Sequence, residues 1–237
     1  MTGFYAQFVK PGALAFDIGA YHGSRTAAFR RLGARVIAVE PVKESVRTLF
    51  VRFHDDPLVT IVPRALGAGE GETSIALSMP YRFSSSLSPE YTQAAAGCSR
   101  YAERGVTSWR EARPVRVTTL DALIRDFGVP LFTKIDVEGF EDAVLQGLSQ
   151  PLPALSFEFH PHLPRPALRS IELLARRGRY CMNYVLEEQF RWQLDRWVTP
   201  REMIRILEHL PRHDQFLYGD VYARAVPGEI AVPATPA

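Results

Sequence analysis

Cysteine is scarce in these 237 residues: only Cys98 and Cys181 occur, and neither stands in a CxxC or Cys/His spacing. That excludes a disulfide-stapled scaffold and a thiolate metal site, and makes a reducing cytoplasm the expected home. Lysine is nearly missing too, present only at Lys10, Lys43 and Lys134, so arginine carries almost all the positive charge. An excess of one charge sign is also lacking, since 28 basic and 26 acidic residues leave a net +2. Such balance creates no long-range field for a polyanion, so neither nucleic acid nor an anionic membrane is an expected partner. No apolar run approaches the roughly 18 residues of a membrane span. The opening MTGFYAQFVKPG has no basic segment followed by a long apolar core, and a soluble protein is expected.

What is present is a hydrophobic fraction of 46%, enough for one continuous core. Short β-branched or apolar runs alternate with helical spacing from the start. Ala13–Ile18 reads as a strand, Thr26–Leu32 as a helix ended by Gly33, Val36–Val39 as a second strand and Val42–Phe53 as a helix. Leu58–Val62 is a third strand. After an irregular stretch come a helix at Leu120–Phe127, a strand at Leu131–Val137, a helix from Glu141 to Gly147 and a strand at Ala154–His160. Then follow a helix at Ala167–Arg177, strands at Tyr180–Leu186 and Asp220–Ala225, and a helix at Pro200–Leu210 between those strands. The alternation predicts a parallel sheet with helices on both faces. One domain over 1–226 is expected, with 67–117 an inserted β-hairpin ending in a long mobile tip, and 227–237 a flexible, proline-rich tail.

Ligands of open α/β sheets bind beyond the carboxyl ends of the strands. Those ends carry Asp17, Glu40, Arg64, Asp136 with Glu138, and Glu158 with His160. An acidic residue at the first turn repels a phosphate, which a helix amino end would otherwise attract. A dinucleotide fingerprint also fails, because Tyr21 stands where G-x-G-x-x-G requires its second glycine between Gly19 and Gly23. The remaining fit is a nucleoside with a cationic, phosphate-free tail, with Asp17 facing an ammonium and Glu40 a ribose diol. S-adenosylmethionine has that form.

The runs VKPGALAFDIGAYHG, VIAVEP, TTLDAL and KIDVEGFEDAVLQG, in order over about residues 9–160, resemble the FkbM-type S-adenosylmethionine-dependent methyltransferases. Tyr21-His22 departs from the commoner family form FDIGANxG. The resemblance implies a class I, Rossmann-like fold with a seven-stranded, mostly parallel sheet whose last strand is antiparallel. It also implies O-methylation of a hydroxyl on a sugar, glycan or natural product. The cofactor-binding set so expected is Asp17, Gly19, Ala20, Gly23, Thr26, Glu40, Pro41 and Asp136. His160, Asp136 and Glu158 are the expected catalytic residues, with His160 first as general base because its ordinary pKa lies nearest neutrality. Lys134 and Asp136 share a strand face, and a buried ion pair fixing the strand end is the alternative reading of the two. A metal cluster of Asp136, Glu158, His160 and His162 matches no ligand motif, and no metal is expected. A non-catalytic S-adenosylmethionine-binding module and a nucleotide-dependent oxidoreductase stand as alternatives.

Overall fold

A computed structural model describes residues 1–212, 217–226 and 228, so the expected tail lies outside the described residues except for Gly228. A short helix α1 (Thr2–Tyr5) precedes β1 (Leu14–Ile18), α2 (Ser24–Arg31), β2 (Arg35–Val39), α3 (Lys43–Phe53) and β3 (Val59–Val62). The insertion follows as β4 (Ala65–Leu66), β5 (Gly71–Met79), α4 (Pro89–Ala96), α5 (Ser99–Glu103) and β6 (Ser108–Thr118). The chain returns through α6 (Leu120–Phe127), β7 (Phe132–Ile135), α7 (Glu141–Gln146) and β8 (Ala154–Phe159). It closes with α8 (Pro164–Arg177), β9 (Tyr180–Leu186), α9 (Pro200–Glu208) and β10 (Gly219–Ala225).

Seven strands form the main sheet in the order β3-β2-β1-β7-β8-β10-β9. Neighbours are parallel from β3 to β8, and β10 runs antiparallel to both β8 and β9. This is the expected class I methyltransferase architecture. The central strands are buried on both faces, which is why they read as unbroken apolar runs. Within β1, Phe16 and Ile18 face a core shared with Leu123, Ile135, Leu145, Phe157, Ile171 and Leu174. Ala15 faces the opposite core, where Tyr5, Phe8, Phe29, Phe132 and Tyr222 gather. Burying one such phenyl ring contributes about 1.5–3 kcal/mol, so these two aromatic and aliphatic layers hold the strand ends in fixed register.

The insertion differs from the expected mobile tip. Its long strands β5 and β6 pair antiparallel, as expected, with the short β4 parallel to β6, but the segment between β5 and β6 folds into α4 and α5, and Tyr91 of α4 packs on Gly139 and bonds Glu138 after β7. The run Ser84-Ser85-Ser86-Leu87-Ser88 supplies that order: Ser88 caps α4 by accepting from the Tyr91 amide at 3.1 Å, with Pro89 in the first turn. Ser84 and Ser86 are buried as well, so these hydroxyls serve internal hydrogen bonds rather than a solvated loop.

Candidate active site

The order of the sheet reverses between β1 and β7, and the crevice beyond their carboxyl ends is where such sheets bind ligands. A cavity of about 270 Å³ opens there. Two tight turns shape it. After β1, Gly19 adopts φ +80° and a Cβ placed on it would meet the Asp136 carbonyl oxygen at 1.7 Å, so only glycine lets the two strand ends touch. After β7, Glu138 takes a left-handed φ of +58° followed by Gly139 at +83°, turning the Glu138 carboxylate into the cavity.

Asp17 stands near the end of β1, just before the glycine turn. It is 1% exposed, lines the cavity, and accepts a 2.5 Å hydrogen bond from the Thr26 hydroxyl. Burial pushes its pKa up, opposed by the Thr26 hydroxyl and the charge of Arg25. Glu40 is buried at the end of β2 and accepts from the Tyr21 amide at 2.9 Å and the Val42 amide at 2.8 Å, one on each oxygen. Burial pushes it up to about 7 against the pull of those amides. Each of its oxygens keeps a second lone pair.

Asp136 stands just beyond β7. Its oxygen lies 3.0 Å from the Lys134 ammonium, which also reaches Asp220 at 2.8 Å. Burial would raise the Asp136 carboxyl, but the Lys134 charge prevails and holds it below the usual range. For Lys134, burial opposes the charge, and Asp136 with Asp220 overcome it to hold the pKa well above normal. The expected buried ion pair and the expected cavity position are therefore both present in one residue.

Glu158 and His160 leave β8 on one face, with His160 Nε2 3.1 Å from Glu158 Oε2. Glu138, missing from the expected catalytic set, joins them at 4.0 Å from the same nitrogen. Burial first, then the neighbouring carboxylates, push Glu138 and Glu158 well above the ordinary carboxylate range. The Tyr91 hydroxyl donates to Glu138 and also meets Ser84 Oγ at 2.7 Å and the Tyr101 hydroxyl at 2.6 Å. Ser86 Oγ donates to the Glu138 carbonyl at 2.7 Å. The insertion thus clamps the turn that presents Glu138. His162 sits 5.6 Å from His160, ring to ring, and burial lowers its pKa to about 4.

Of the residues expected to bind cofactor, Asp17, Gly19, Ala20, Glu40, Pro41 and Asp136 line the cavity. Gly23 and Thr26 stand behind it: a Cβ on Gly23 would meet Phe53 and Leu49 within 3 Å, and Thr26 reaches the cavity only through Asp17. Arg64, at the end of β3, also lines it.

A family model described as the methyltransferase FkbM domain matches residues 17–213. The chain belongs to that family. It is an S-adenosylmethionine-dependent methyltransferase, which displaces the oxidoreductase alternative. No curated protein matches it. Among solved structures, it is 10% identical to a precorrin-6y C5,15-methyltransferase from Geobacter metallireducens, over 94% of this chain and 84% of that one, with a TM-score of 0.47. It is 12% identical to an O-methyltransferase from Bacillus cereus in complex with SAH, over 95% and 78% of the two chains, also at 0.47. It is likewise 12% identical to Aeropyrum pernix fibrillarin bound to S-adenosyl-L-methionine, over 91% and 68%, at 0.46. Among the described residues no helix is long and apolar enough to cross a membrane.

Proposed function

We propose that this methyltransferase methylates a hydroxyl oxygen on a small molecule or glycan. The observation that carries the reading is the convergence of Glu138, Glu158 and His160 on one wall of the cavity, across the β1–β7 crevice from Glu40. Carboxylates and an imidazole are groups that orient a hydroxyl and take up its proton. An acceptor enclosed in a cavity, on a protein of net charge +2, favours a small or glycan substrate over a polyanion.

The residues fit the cofactor. Glu40 retains a lone pair on each oxygen for the two hydroxyls of a ribose, and its own amide contacts fix the carboxylate for that task. Asp17 supplies a buried negative charge toward an ammonium. Ala20, Gly19 and Pro41 bring backbone close to the crevice. When bound, S-adenosylmethionine supplies an electrophilic methyl group for in-line transfer. Asp136, kept ionised by Lys134, marks the strand end between cofactor and acceptor, while Glu158 fixes the His160 ring where the acceptor oxygen arrives.

Incubation with methyl-labelled S-adenosylmethionine and a panel of sugars and hydroxylated natural products tests this reading. Label recovered as an ether supports it. Label on nitrogen or carbon would replace the oxygen acceptor, and cofactor binding without any transfer would favour a binding module.

A further inference from the structure

Lys134 is shared by Asp136 and Asp220, and Arg25, which also lines the cavity, is engaged by Glu188 at 2.7 Å. Glu138 and Glu158 are left facing one another across the His160 imidazole. Two carboxylates so placed in a desolvated wall repel, and a proton or a cation must relieve them.

The geometry matches a cation. One donor atom from each of Glu138, Glu158 and His160 lies within 4.8 Å of the other two, and the His160 separations are 3.1 and 4.0 Å. Donors held about 2.1 Å from one ion stand roughly 3–4 Å from each other. Glu158 is 8% exposed and His160 6%, and the Glu138 side chain 17%, so two donors are buried in the cavity wall with the third at its edge, which is not a surface acidic patch. The Tyr91 hydroxyl orients the Glu138 carboxylate from outside, the task of partners that surround metal ligands. Beside the cluster, both ring nitrogens of His162 are shielded from solvent and have no hydrogen-bond partner among the described residues, so the protein itself does not satisfy them.

We propose that Glu138, Glu158 and His160 form a divalent-cation site with its remaining positions open to the cavity. One imidazole and two carboxylates suit Mn²⁺, Fe²⁺ or Zn²⁺. Its use rests on the methyltransferase reading: a cation there acidifies an acceptor hydroxyl and fixes its position. His160 is then a ligand and not the free base expected from the sequence.

The test uses the full chain, stripped of metal by dialysis against a chelator and titrated with Mn²⁺ by electron paramagnetic resonance and calorimetry. One ion should bind per chain, and Glu158→Gln and Glu138→Gln should each weaken binding tenfold or more while the protein still melts cooperatively. If either variant fails to fold, His160→Asn provides the same comparison. No Mn²⁺ binding at millimolar concentration, or equal binding in the variants, overturns the site. S-adenosylhomocysteine binding on the same samples separates the two readings. If it persists without Mn²⁺ binding, only the cation site falls; if it is missing from the wild type, the proposed hydroxyl methylation at this cavity falls with the proposed use.

Discussion

The carbonyl oxygen of Asp136 occupies the space a side chain on Gly19 would need, with a Cβ at that position only 1.7 Å away. The turn after β1 and the end of β7 are therefore in contact, and the crevice is defined by that contact. Gly19→Ala should destabilise the fold by roughly 2–4 kcal/mol, combining a left-handed φ with overpacking against backbone that cannot yield cheaply. Calorimetry should show loss of S-adenosylhomocysteine binding. A variant that melts and binds as the wild type does would show that the two strand ends separate without consequence.

Lys134 is fully buried between two carboxylates, so its removal and theirs are not equivalent. Lys134→Met strands Asp136 and Asp220 and should cost about 3–5 kcal/mol in a denaturant melt. Asp136→Asn leaves Lys134 paired with Asp220. It should lower turnover far more than cofactor affinity, with a melting temperature close to that of the wild type. A collapsed melt in Asp136→Asn would assign the residue to the ion pair alone.

The alternation of strands and helices, and the acidic strand ends, were legible because period and turn chemistry are local properties. Asp17, Glu40 and Asp136 could be placed at the crevice from their positions after apolar runs. The insertion was less legible. In β6, exposed and half-buried residues alternate along SWREARPVRVT, so only its last residues carried a hydrophobic pattern. The Ser88-Pro89 start of α4 is a helix signal, but it closes the run Ser84-Ser85-Ser86-Leu87-Ser88, whose composition favours a loop. Glu138 has no role assignable from sequence, because an acid before a helix is favourable without function. Only the left-handed turn and the Tyr91 contact, from a segment 47 residues away, show where it points.

Tyr91 tests whether the insertion serves the site. Tyr91→Phe keeps the ring against His160 but removes the hydroxyl shared by Glu138, Ser84 and Tyr101. It should cost about 1–3 kcal/mol of stability, the range for stranding buried hydrogen-bond partners. Turnover should fall while cofactor affinity stays, because Glu40 and Asp17 are untouched. Unchanged turnover in a stable variant would reduce the insertion to a structural cover.

Glu40 gives a pH dependence whose sign is fixed. Its carboxyl is raised from 4.5 to about 7 by burial, so near neutrality a fraction of the free protein carries a proton there. A ribose diol donates hydrogen bonds and favours the ionised form, which lowers the pKa in the complex. Binding between about pH 5 and 7 should therefore release a proton, and affinity should rise with pH through that window and level off above it. Stability runs the other way. A carboxyl raised in the folded state contributes stability that is complete below 4.5 and is lost as pH rises through about 7, and Glu141, also raised to about 7, adds to the same slope. Calorimetry in buffers of different ionisation enthalpy measures the released proton directly. Glu40→Gln should abolish the release and weaken binding by about 1–3 kcal/mol at pH 8. A Gln variant that still releases the proton would assign it to another group and leave Glu40 without a ribose contact.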